Sequence, residues 1–91
     1  MDPGHGEALN NIAVLEMRRQ KFDLARACLN SSVDAGPHLF EPMYNSALMA
    51  YRMGDFQEAN AYTNRSQSLY PGHSETMELR TVLEKALAAV T

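Results

Sequence analysis

A chain of 91 residues with a formal net charge of −3 is one small folding unit at most, too short to enclose the large cleft of an enzyme. Eight Lys and Arg against eleven Asp and Glu argue against binding a phosphate backbone, which needs clustered cations. The single cysteine, Cys28, excludes an internal disulfide and a cysteine-based zinc site, and no apolar run reaches membrane-span length.

Residues 1–7 are polar and turn-like, unlike a secretory signal. Pro3 and Gly4 read as the tail of a preceding unit, so the chain is expected to begin inside a longer array. Spacing predicts a first helix over about 7–19, with Leu9, Ile12, Ala13 and Met17 near one face. A second follows over about 22–35, with Phe22, Ala25, Leu29 and Ser32 inward, and Gly36 and Pro37 end it because proline cannot continue a helix. A third runs over about 41–53. Gly54 and Asp55 then make a turn, with Asp55 capping a fourth helix and Glu58 as its capping-box partner. Pro71 and Gly72 stop that helix. A fifth covers about 74–90, with Ser74 as N-cap and Glu75 and Glu78 at the positive end of the dipole. Its stripe of Leu79, Val82, Leu83, Ala86, Leu87 and Val90 is expected to pack on the preceding unit and cap the array.

The chain also repeats itself. A shift of 34 residues places Glu7 on Glu41, Asn11 on Asn45, Ala13 on Ala47, Arg18 on Arg52, Phe22 on Phe56, Ala25 on Ala59, Ser32 on Ser66 and Pro37 on Pro71. Small residues at Ala13, Ala25, Ala47 and Ala59 let paired helices approach closely, while Phe22 and Phe56 fill space between hairpins. These marks resemble the tetratricopeptide-repeat family. Leu9, Ile12, Ala13, Ala25, Leu29 and Pro37 match its pattern in the first unit; Met43, Ser46, Ala47, Ala59, Thr63 and Pro71 stand there in the second. Glu16 and Ala50 replace its usual helix-A tyrosine, and Ser46 replaces a leucine. The expected architecture is an all-α, tetratricopeptide-type α-solenoid of two helix-turn-helix repeats plus a C-terminal capping helix. Its divisions are 1–5 (remnant of a preceding repeat), 6–39, 40–73 and 74–91.

A closer resemblance lies in residues 10–18, Asn-Asn-Ile-Ala-Val-Leu-Glu-Met-Arg, and in residues 37–42, Pro-His-Leu-Phe-Glu-Pro. Both are similar to the tetratricopeptide subunits of the BBSome, the coat-like Bardet–Biedl syndrome complex that moves membrane proteins into and out of cilia. The resemblance covers nearly the whole chain. It implies a non-enzymatic scaffold with other protein subunits as partners, no cofactor, and a cytoplasmic location at the cilium and ciliary base. Neither nucleic acid nor direct membrane insertion is expected. The isolated chain is expected to self-associate through the N-terminal face of its first hairpin. The alternative is a tetratricopeptide adaptor that binds a linear peptide in another pathway, such as a chaperone or secretion co-factor.

Candidate partner-binding residues lie along the A helices. Glu7, Glu41 and Glu75 recur in the first turn, where the dipole favours them and where they could also form an acidic stripe. Arg18 and Arg52 recur at the opposite ends, suited to the dipole or to an acidic partner. Asn11 and Asn45 can donate and accept toward a peptide backbone or bond within their own hairpin, and Val14 and Leu48 complete the groove. Glu7, Glu41, Glu75 and Glu78 stand where a receptor for acidic C-terminal tails needs cations, so that role is not expected. His5, His38 and His73 read as solvated turn residues rather than metal ligands. Ser31, Ser32 and Asp34 lack the base and orienting acid of a nucleophile site, and Cys28 reads as packed.

Overall fold

The computed structural model describes residues 5–89. They form α1 (His5–Arg18), α2 (Phe22–Ala35), α3 (Phe40–Arg52), α4 (Phe56–Leu69) and α5 (Ser74–Ala89), with no strand among them. The expectations for residues 1–4 and for Val90 lie outside the described residues. The α1–α2 and α3–α4 hairpins have the most extensive contacts, and α2 packs on α3 as α4 packs on α5. The helices α1, α3 and α5 touch in succession. The backbones of α2 and α4 stay apart, linked by a 3.7 Å ion pair from Arg26 to Glu58. The array therefore curves with α1, α3 and α5 on its inner side, in a slab of 43 × 28 × 17 Å.

Each hairpin closes on small residues. Ala13, Ala25, Ala47 and Ala59 are all fully buried, which brings the paired helices close and leaves no void for a larger side chain. Met17 and Leu29 complete the first core, and Met49 reaches back into it from α3. Ala50, Leu79 and Leu83 complete the second, so α5 shares the α3–α4 core. Gly6 allows the start of α1 to meet the end of α2: a Cβ there would stand 3.2–3.3 Å from Leu39 Cδ1 and the Gly36 and Ser32 backbone. Ser32 Oγ donates to the Gly6 carbonyl across that contact at 2.6 Å.

Helix ends repeat with the sequence. After α1, Lys21 N–H donates to the Glu16 carbonyl and Gln20 N–H to Met17; after α3, Asp55 donates to Ala50 and Gly54 to Tyr51. Both are Schellman closures with one residue in the left-handed region, Gln20 at φ 61° and Gly54 at φ 82°. Asp55 Oδ1 accepts from Glu58 N–H at 3.2 Å and caps α4, whereas Lys21 in the equivalent place gives α2 no side-chain cap. Gly36 and Tyr70 accept from Leu39 and His73 in matching turns, with Pro37 and Pro71 second in each.

Four details depart from the sequence reading. Ile12 is exposed while Asn10 is buried, because the inward stripe of α1 is Gly6, Asn10, Ala13 and Met17. Val82 is exposed because it lies about 100° around the helix from Leu83. Thr76 takes its place in the buried stripe of α5. The N-cap of α5 is His73 rather than Ser74, which is the first helical residue: His73 Nδ1 accepts from Thr76 N–H at 3.3 Å. Finally, His73 is not a solvated turn residue. It packs on Phe40, Tyr44 and Tyr70, with ring centroids 4.7, 5.2 and 5.9 Å away.

Two stability measurements check this packing. Gln20→Gly removes the steric cost of a left-handed side chain and raises unfolding stability by about 1 kcal/mol in urea titration. Ala25→Leu or Ala59→Leu overfills a closed contact and lowers it by about 1–3 kcal/mol.

Candidate partner-binding face

The inner side of the array carries two concavities between α1 and α3. The first, about 260 Å³, is lined by Glu7, Asn10, Asn11, Leu39, Glu41 and Pro42. The second, about 180 Å³, is lined by Val14, Met17, Arg18, Asn45, Leu48 and Arg52. The starts of both helices meet at the acidic concavity and their last turns at the cationic one, so α1 and α3 run in the same direction. Helix dipoles reinforce this polarity, because acidic residues suit the positive ends and arginines the negative ends.

Eight of the nine candidate residues therefore gather into these two concavities. The ninth, Glu75, lines neither. Its side chain is largely exposed on α5, with Oε2 3.9 Å from His73 Nε2. The asparagines pair differently from the expected equivalents. Asn45 Nδ2 donates to Asn10 Oδ1 at 2.9 Å, while Asn11 is exposed at the rim of the acidic concavity. Contact across the α1–α3 seam joins residues 35 apart, whereas the sequence period joins residues 34 apart. Asn10 was invisible to a search for equal positions for that reason, and its place on the Gly6–Ala13 stripe was the signal that could have found it.

Tyr44 is where α5 bears on this face. Burial raises its phenol above the ordinary value, the negative charges of Glu75 and Glu78 raise it further, and Arg52 opposes them. Sequence reading did not single out Tyr44. Arg52 of the cationic concavity and Glu75 and Glu78 of α5 thus act on the same phenol.

Among the described residues, no group of three His, Cys, Asp or Glu stands close enough to hold a metal ion. Cys28 is half-buried against the first core. Ser32 spends its hydroxyl on Gly6, and no described helix is long and apolar enough to cross a membrane.

The Tyr44 environment gives a titration with a definite sign. Its phenol is expected to ionise above the usual value of about 10, moving down in Glu75→Gln/Glu78→Gln and further up in Arg52→Gln. Because the folded state holds this proton more tightly than the unfolded chain, the associated stability is present below the ordinary tyrosine value. It is lost as pH rises through the folded value. Ultraviolet difference absorbance on the three variants reads the shift.

No protein-family model matches the chain. Over 84 residues, 92% of its length, it is 37% identical to Tetratricopeptide repeat protein 8 of Homo sapiens, and equally to that of Mus musculus. The chain spans about one-sixth of these relatives, 16% of each. Paired helices in a 34-residue register, alanine-closed hairpins, a curved all-α array and this identity converge: the chain belongs to the tetratricopeptide-repeat proteins and is similar to protein 8 of that name.

Proposed function

We propose that this chain is a non-enzymatic scaffold segment that holds protein subunits of a BBSome-like complex serving ciliary membrane-protein trafficking. In this reading, residues 6–39 and 40–73 are the repeat units, and the helix within 74–91 closes them. The likeness to Tetratricopeptide repeat protein 8 supports the choice of complex.

The observation that carries the scaffold role is a comparison of α1 with α3. On α3, Met43, Ser46 and Met49 are buried, at 2%, 4% and 3% exposure, and Met49 lies in the core shared with α2. One period earlier stand Leu9, Ile12 and Leu15. Leu9 is half-buried, and Ile12 and Leu15 are 46% and 49% exposed. The same register is covered by a helix in one unit, while Ile12 and Leu15 stand open to water in the other. Leu24, 55% exposed on α2, extends the open surface. Such a face fits a helix that packs as α2 packs on α3, supplied by another protein surface or, in the isolated chain, by a second copy.

The test is affinity capture from ciliated-cell extract with mass spectrometry of the bound proteins. The chain is expected to retain BBSome subunits, and Leu15→Asp to reduce their recovery at least ten-fold with unchanged circular dichroism. Recovery of a chaperone alone would sink the proposal in favour of a peptide-binding adaptor, a reading the two inner concavities favour. Sedimentation velocity is expected to show concentration-dependent self-association, weakened by the same substitution.

A further inference from the structure

A third hollow, of about 240 Å³, opens away from the inner face. It is lined by Pro37 of the α2–α3 turn, Met43 of α3, and Arg65, Ser68 and Leu69 of α4. Met43 is 2% exposed and forms a floor, whereas Leu69 stands 41% exposed at the rim.

Packing within the array does not call for these rim residues. The buried positions of α4 are Ala59, Thr63 and Ser66, one period after Ala25, Leu29 and Ser32 of α2. Arg65, Ser68 and Leu69 are exposed, and one period earlier stand Ser31, Asp34 and Ala35. The second unit therefore carries a cation and a large apolar side chain where the first carries neither. Arg65 also falls outside the last turn of α4, so the helix dipole does not account for it. Its guanidinium lies over the Tyr62 ring, 5.5 Å from the centroid. That contact holds the cation in place without an oxygen acceptor, and none of its N–H groups is hydrogen-bonded among the described residues. A fork of unspent donors beside an apolar hollow is the complement of a carboxylate beside an apolar side chain.

Size and spacing narrow the occupant. Small-molecule ligands and cofactors fill roughly 300–1,000 Å³. This hollow is smaller, on the scale of a side-chain anchor. Arg65 and Leu69 are one turn apart, about 6 Å along α4 at the helical rise. Side chains at i and i+4 of a docked helix have the same separation. An extended segment spans that distance too, but its peptide groups would face Pro37, Met43 and Leu69, whose side chains offer no donor. The Ser68 hydroxyl already donates to the Asn64 carbonyl at 3.0 Å. A helix pairs its own peptide groups and needs nothing from this wall.

We propose that this hollow docks a helix of a partner protein through a Leu- or Met-sized side chain over Met43 and a Glu or Asp one turn away on Arg65. The site shares no residue with the open face of Ile12, Leu15 and Leu24. This inference rests on the reading of the chain as an interaction module and gives it a second, separate point of attachment.

The probes are two blocked eighteen-residue helical peptides of Ala and Gln. One carries Leu eighth and Glu twelfth, the other the reverse order. The full 91-residue chain, labelled with carbon-13 at its methionine methyls, is titrated with each to millimolar concentration. The Met43 methyl resonance is expected to move toward saturation with one of them. Leu→Ala or Glu→Gln in that peptide, or Leu69→Lys or Arg65→Gln in the protein, is expected to raise Kd five-fold or more at unchanged circular dichroism. Arg65→Glu is expected to prefer a peptide with Lys in place of Glu. The inference is overturned if neither probe moves Met43, if Arg65→Gln binds equally, or if the methyls of Met17 and Met49 move instead. Tighter binding of a peptide with a central Pro, which breaks the helix, also overturns it. Loss of self-association in Leu69→Lys without peptide binding assigns the hollow to a second copy and overturns it as well. Peptide failure with intact Leu15-dependent capture removes this inference and leaves the scaffold reading in place; the opposite pattern removes the scaffold reading alone.

Discussion

The most extensive helix–helix contacts among the described residues lie within the two hairpins, and both close on small side chains. Ala13 against Ala25 and Ala47 against Ala59 leave no accessible surface, and every larger feature follows from that proximity. Each hairpin becomes a thin unit that cannot bury all of its apolar side chains alone. Met49 consequently reaches back into the α1–α2 core, and Leu79 and Leu83 of α5 reach back into the α3–α4 core. Stability in such an array is a sum of hairpin terms and neighbour terms, and a face without a neighbour remains apolar and wet. The contrast between buried Met49 and exposed Leu15 is that principle seen within one chain.

Curvature follows from the same contact. With α1, α3 and α5 touching and α2 and α4 bridged by the long Arg26–Glu58 pair, the inner row is tighter than the outer one. The tighter row sets helix starts beside helix starts and ends beside ends. Dipole-favoured residues that would be scattered on a lone helix then become an acidic hollow and a cationic hollow on one face. The polarity of the candidate partner-binding face is thus an outcome of stacking.

Much of this was legible in the sequence, for identifiable reasons. Proline and glycine punctuate helix ends by local backbone rules, so the termini near Pro37, Gly54 and Pro71 could be placed to within a residue or two. Fully buried alanines recur at one period because both hairpins make the same contact. What sequence reading missed depends on contacts between units. Ile12 looks like core by composition, but its burial needs a helix on its outer side. Asn10 was missed because the seam joins unequal positions. Gln20 gave no sign of its positive φ, since glutamine is not a residue that marks one; only its register with Gly54 does so. His73 reads as a polar turn residue until Phe40 and Tyr44 of α3 and Tyr70 at the end of α4 pack around it.

His73 also shows how the second unit differs physically from the first. Ser32 satisfies its hydroxyl on the Gly6 backbone, close to where α1 begins. Its equivalent, Ser66, is 3.2 Å from Thr76 Oγ1, which lies 2.7 Å from His73 Nδ1. A backbone contact in one unit has become a side-chain chain in the next, buried between α4 and α5 and walled by aromatic rings. Each member depends on the others, because Thr76 is 1% exposed and Ser66 fully buried, and neither has water to fall back on. The α4–α5 junction is therefore specified by polar complementarity as well as by Leu79 and Leu83. The first hairpin, whose outer face is apolar and open, carries no comparable polar restriction on what covers it. The two hairpins are thus chemically unlike: the second joins α5 through a polar network, and the first leaves Ile12, Leu15 and Leu24 exposed.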